Sequence, residues 1–277
     1  MSEIISLDDP AEARDRAVTA LRDGLLVVVP TDSVYALVAD AFSKPGTQRM
    51  FGAKRRGRKI PLPVLIRSQR QTTGLVEDIP EFAERLMAAY WPGPVTLVFR
   101  AAEGLSWDVG DAQGTVSLRM PTDDFLLGLI GEVGPLAVTT ANRKGQDVPT
   151  TAEQAKELLS QSAALYVDGG ERHGATSTIV DVTRDRAYVL SEGAIPAADI
   201  EAVASGETAW GARPDPAPAR PDPAPARPDP ARPDPPDPAR PDPAGARGAT
   251  AAGAASPDAT PAAAEPADAA PTPPAEG

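Results

Sequence analysis

Residues 24–30, Gly24-Leu25-Leu26-Val27-Val28-Val29-Pro30, decide the fold class. A run this short and apolar, rich in β-branched residues and closed by a proline, reads as a strand buried inside a sheet. Working backwards, residues 11–24 (AEARDRAVTALRDG) put Ala13, Ala17, Val18 and Leu21 on one face at helical spacing, with Gly24 as the stop. Working forwards, similar strands are predicted over Pro63–Arg67, Pro94–Arg100, Thr115–Met120, Pro135–Thr140, Ala164–Gly169, Ser177–Thr183 and Ala187–Ser191. Helices fall between many of them, at about Pro45–Arg55, Pro80–Tyr90, Asp123–Gly131 and Thr151–Ser160. This interleaving predicts an α/β domain whose twisted, mixed sheet is flanked by helices.

The prolines mark where that domain stops. Of 32 prolines, 20 follow Trp210, and no Leu, Ile, Val, Phe, Tyr, Trp or Met lies beyond it. A segment without those residues cannot build a core, so the expectation is a domain over 1–210 and a disordered tail over 211–277. From Ala212 the tail repeats ARPDPAP and its variants, a composition that favours extended, hydrated polyproline conformers. It reads as a solubilising extension, with docking of a proline-binding partner as the alternative.

The first 210 residues hold 29 acidic and 21 basic side chains, enough net charge to keep a domain dispersed. The absence of cysteine from the sequence excludes disulfides, thiolate zinc sites and thiol nucleophiles. The start, MSEIISLDDP, has neither a basic end nor an apolar run, so no secretory signal is expected. The longest apolar stretch, Leu25–Pro30, falls far short of the roughly 18 residues of a membrane span. A soluble, cytoplasmic protein without a membrane partner is the expectation.

Phosphate-loop, dinucleotide, zinc-protease and hydrolase signatures are all missing. With His173 as the single histidine, in the polar stretch GGERHGAT, chemistry must draw on cations, hydroxyls and backbone amides, with or without a metal. Four segments concentrate such groups where strands end. Thr31, Asp32 and Ser33 follow the strand ending at Val29, at the carboxyl edge where open α/β sheets take ligands; a local turn is the plainer alternative. Lys54, Arg55, Arg56, Arg58 and Lys59 fall within six positions, a density of positive charge that suits a triphosphate, a solvated surface or an RNA backbone. Arg119 ends a strand just before Met120-Pro121, where a guanidinium can hold a carboxylate. Thr139, Thr140 and Asn142 precede Thr150 and Thr151, either of which can cap the following helix.

Taken in order, Pro30-Thr31-Asp32 with Tyr35, Lys54-Arg55-Arg56, Pro92-Gly93-Pro94-Val95-Thr96, Arg119-Met120-Pro121 and Thr140-Ala141-Asn142 resemble the motifs of the threonylcarbamoyl-AMP synthases, or YrdC-like proteins, from about Leu25 to Ile195. The resemblance implies a single YrdC-like domain that makes threonylcarbamoyl-AMP and pyrophosphate from L-threonine, bicarbonate or carbon dioxide, and ATP with Mg2+. The product would serve tRNA modification through a separate transferase. Carried over by position, Thr31, Arg119, Thr140 and Ser177 would contact threonine. Lys54, Arg56, Arg58, Thr115, Asn142 and Thr150 would contact the nucleotide, with Lys54 and Arg56 stabilising the departing pyrophosphate.

The sequence departs from that pattern at several positions. Ser33 stands for a Thr, Ala36 for a Gly, Thr140 for a Ser, Lys144 for a Ser, and Ser191 for an Arg that commonly helps hold the nucleotide. A methyl group at Ala36 would crowd a close backbone approach or oppose a positive φ. Two other readings accompany the synthase: a YrdC-like RNA-binding protein using the Lys54–Lys59 cluster, and a nucleotide-binding paralogue without turnover.

Overall fold

A computed structural model describes residues 2–207; the predicted tail, 211–277, and the boundary at 210 lie outside them. In chain order the elements are β1 (Glu3–Ser6), α1 (Pro10–Arg22), β2 (Val27–Val29), β3 (Ala36–Asp40), α2 (Lys44–Lys54), β4 (Val64–Leu65), α3 (Glu81–Tyr90), β5 (Val95–Arg100), β6 (Thr115–Arg119), α4 (Asp124–Val133), β7 (Leu136–Thr140), α5 (Ala152–Leu159), β8 (Leu165–Asp168), β9 (Thr178–Asp181), β10 (Tyr188–Ser191) and α6 (Ala197–Ser205). The helices begin where local chemistry supplies acceptors for their free amides. Asp9, Ser43, Asp123 and Thr151 each cap the next helix by accepting a backbone N–H.

The strands form one mixed sheet in the order β1-β8-β2-β3-β7-β4-β6-β5-β9-β10. The predicted α/β class holds, and each predicted strand and helix is present. Two strands and one helix are additional: β1, β3 and α6. β3, ALVAD, carries no polar alternation because it is buried between β2 and β7, pairing Val27 with Val38 on one side and Ala36 with Thr140 on the other. Ala36 needs no unusual backbone: it opens an ordinary strand and is absent from the positive-φ residues.

One face of the sheet is covered along its length. Val28, Leu37, Val64, Leu97, Phe99, Val116, Leu118 and Val180 point to that side, against Met50 and Phe51 of α2, Leu86 of α3, Leu159 of α5 and Ile200 of α6. The other face is covered over only part of the sheet. There α1 and α4 bury Ala17, Leu21, Leu126 and Leu129 against Val27, Val29, Val38, Leu65, Leu136 and Leu165. None of β5, β6, β9 or β10 contributes to this second core. Because side chains alternate across a strand, the residues that β5, β6 and β9 turn to this face are Thr96, Val98, Thr115, Ser117, Arg119, Ile179 and Asp181, and they floor a cavity instead.

Candidate active site

The cavity has a volume of about 800 Å³. Its floor is that bare half-face of the sheet, its near wall is the segment Thr31–Val34 after β2, and its rim carries Arg56, Lys59 and Ile60. Pockets this size suit small-molecule ligands.

At one pole, short polar side chains surround a buried ion pair. Arg119 donates to an Asp32 carboxylate oxygen at 2.7 Å, with side chains only 10% and 11% exposed. Its Nε donates to the Gly93 carbonyl at 3.0 Å and an Nη to the Ser33 hydroxyl at 3.4 Å. Gly93 is there because a Cβ would lie 2.5 Å from the Tyr90 carbonyl oxygen. The guanidinium is thus fixed with three of its five donors engaged. The carboxylate predicted for Arg119 is present already, as Asp32 itself. The Thr31 hydroxyl is spent inside its own turn, donating to the Val34 carbonyl at 2.7 Å and accepting from the amides of Ser33 and Val34. Arg172 closes this pole by donating to the Thr31 and Gly169 carbonyls.

At the other pole, the basic cluster divides. Arg56 lines the cavity and is anchored by donating to the carbonyls of Ile60 (3.1 Å) and Pro61 (2.8 Å). Lys59 joins it on the rim. Lys54 is buried behind the wall, where its ammonium is ringed by the Thr140 carbonyl (2.6 Å) and hydroxyl (3.2 Å), the Asn142 amide oxygen (2.8 Å) and the Asn142 carbonyl. Burial, and then repulsion from Arg56, lower its pKa to about 8. Burial also lowers that of Arg56.

Of the predicted contacts, the fold brings Thr31, Arg56, Thr115, Arg119, Thr140 and Ser177 to one cavity. Lys54 and Asn142 reach it only through Thr140. Arg58 and Thr150 lie away from its lining: Arg58 pairs with Asp108 and sits over the Phe51 ring, and the Thr150 hydroxyl bonds Gln154. Thr115 turns its hydroxyl to the Ala112 carbonyl at 2.6 Å. Thr151 is the helix cap. His173 is exposed and paired with Glu171, a solvated loop residue as its sequence context suggests.

Further lining residues were missed from sequence: Thr96, Ser117, Asp181 and Arg184. A signal existed in TVSLR, where positions 115, 117 and 119 are polar at period two. Which face stays bare was not legible in one strand.

The family model described as Sua5/YciO/YrdC, telomere recombination, matches residues 19–193. A Mycobacterium tuberculosis (strain H37Rv) protein, provisionally named a threonylcarbamoyl-AMP synthase, is 44% identical over 200 residues, covering 70% of this chain and 92% of that one. The threonylcarbamoyl-AMP synthase of Pyrococcus abyssi is 37% identical over 185 residues, 66% of this chain and 54% of that protein. The crystal structure of P. abyssi Sua5 complexed with L-threonine aligns with a TM-score of 0.66 at 34% identity, covering 73% of this chain and 61% of that one. The chain therefore spans less than two thirds of the P. abyssi protein.

Proposed function

Because the chain belongs to the Sua5/YciO/YrdC family, we propose that it is an L-threonylcarbamoyladenylate synthase, joining L-threonine, carbon dioxide or bicarbonate, and ATP into threonylcarbamoyl-AMP and pyrophosphate. The observation that carries this reading is one cavity with two chemically different poles: Arg56 and Lys59 at the rim, and a pocket of hydroxyls around the Arg119–Asp32 pair. The first suits a triphosphate and the second a small zwitterion. The threonine complex of P. abyssi Sua5 supports an amino-acid ligand for this fold.

The chemistry needs little acid–base machinery. The neutral amine of threonine attacks carbon dioxide, forming an N–C bond and losing a proton to solvent. A carbamate oxygen then attacks the α-phosphorus of ATP, and the bond to pyrophosphate breaks. Such a step depends on positioning and charge stabilisation, so an enzyme whose one histidine is solvated can perform it. Arg56 meets the departing pyrophosphate from the rim, and Lys54 adds its charge through the Thr140–Asn142 wall. The two free donors of Arg119 and the Ser177 hydroxyl receive the amino-acid carboxylate. Asp111 and Asp181 line the same cavity, Asp181 with one oxygen accepting from Thr183 and the other facing Arg184; their carboxylates would hold a Mg2+ brought in with ATP, and the ion would neutralise phosphate charge. The product serves N6-threonylcarbamoyl modification of tRNA by a separate transferase.

Pyrophosphate release, measured with each of the three substrates omitted in turn, tests the reading. Release is expected only with all three present; release that ignores threonine, or none at all, overturns it.

A further inference from the structure

We infer that Thr96 is a positioning residue that commits the Ser177 hydroxyl to donating into the cavity. The inference rests on the amino-acid pole proposed above.

Thr96 is the second residue of β5 and is 1% exposed. Its hydroxyl meets the Ser177 hydroxyl at 2.9 Å, the one hydrogen bond it makes among the described residues. Two hydroxyls at that distance share one proton between them, and either can be its donor. Burial decides which. Were Ser177 the donor, the Thr96 O–H, on the cavity floor but only 1% exposed, would be left with no acceptor among the described residues, and an unmade buried donor is costly. With Thr96 donating, no group is orphaned: Ser177 is part-exposed on the cavity lining, where its own proton can reach water or a ligand. A β-branched side chain in a strand has little χ1 freedom, so Thr96 holds its donor in one direction.

The backbone around Ser177 leaves that side chain little else to do. Thr178 is completely buried, and its hydroxyl donates to the Ile195 carbonyl at 2.6 Å while accepting from the amides of Gly193 and Ile195, each at 3.0 Å. Gly193 packs so closely that a Cβ there would lie 2.2 Å from the Thr176 carbonyl oxygen. Ser177 therefore sits on a fixed backbone, and the Thr96 bond sets its remaining torsion. A hydroxyl oriented this way presents a donor to an anionic oxygen, which in this cavity means the amino-acid carboxylate or the carbamate formed on the amine.

The isosteric Thr96→Val removes the donor with minimal change of shape. By the scale of one neutral hydrogen bond, it is expected to raise the KM for L-threonine about fivefold to tenfold, with kcat and the KM for ATP held within about twofold. Thr96→Ser should restore the wild-type threonine KM. Ser177→Ala should raise it at least as much as Thr96→Val, and adding Thr96→Val to Ser177→Ala should change nothing further. An unchanged threonine KM in either single variant, a parallel rise in the KM for ATP, or additive effects in the double variant would overturn the inference. Calorimetric titration of the wild-type protein with L-threonine separates this failure from that of the functional reading: absence of binding overturns both, whereas binding that Thr96→Val matches overturns the role of Thr96 alone.

Discussion

Arg119 is held by three acceptors of the protein itself, and this makes it structural besides the ligand role proposed for it. Its charge is balanced by Asp32 where both side chains are about nine-tenths buried, so removing one partner strands the other. Arg119→Ala is expected to lower stability by about 3–5 kcal/mol, read as a drop of roughly 10 °C or more in thermal unfolding, together with weakened threonine binding. The double variant Arg119→Ala/Asp32→Ala should recover much of the stability and none of the binding. Lys54 makes a second residue-scale prediction. Its folded pKa of about 8 lies below the ordinary lysine value, so its charge is fully present below that pH and lost as the pH rises through it. As the pH rises through 8 the amine loses its charge towards the proposed nucleotide pole and one of its three donors towards Thr140 and Asn142. The kcat/KM for ATP should fall with an apparent pKa near 8, and a profile flat to pH 9 would remove Lys54 from the machinery.

At the scale of elements, the sequence motifs prove to be packing devices that place site groups. Pro-Gly-Pro-x-Thr brings the Gly93 carbonyl to Arg119 and the Thr96 hydroxyl to Ser177. The turn after β10 is coupled to the start of β9, because Gly193 lies against the Thr176–Ser177 backbone. Gly193→Ala must displace that backbone, carrying Ser177 with it. The expected result is a destabilisation of about 1–3 kcal/mol and a threonine KM raised more than the KM for ATP; equal changes in both constants would show that the turn serves stability alone. The β3 strand illustrates the converse. Its sequence shows no strand period because both faces are covered, so its identity comes from its partners β2 and β7.

For the whole molecule, the asymmetry of the two sheet faces matters most. α1 and α4 cover one half of a face and leave the other half as the floor of the cavity. No helix among the described residues is long and apolar enough to cross a membrane. Among the described residues, 2–207, two hydrophobic cores and the cavity lining are already formed, so a chain ending at Gly211 is expected to unfold within about 2 °C of the full-length protein and to keep its turnover. A larger loss of either would give the repeat segment a role in the domain. Sequence alone determined the α/β class, the choice of Thr150 or Thr151 to cap α5, and the short motifs that carry Thr31, Arg119 and Thr140, because periodicity, capping chemistry and short motifs are properties of neighbours along the chain. It also supplied the basic cluster, but not its division into a rim pair, a buried lysine and the distant Arg58. That division, the pairing of Arg119 with Asp32 and the bareness of β5, β6 and β9 on one side were decided only by tertiary structure. Burial and charge pairing depend on which segments meet, and residues as far apart as Asp32 and Arg119 meet only when the sheet is assembled.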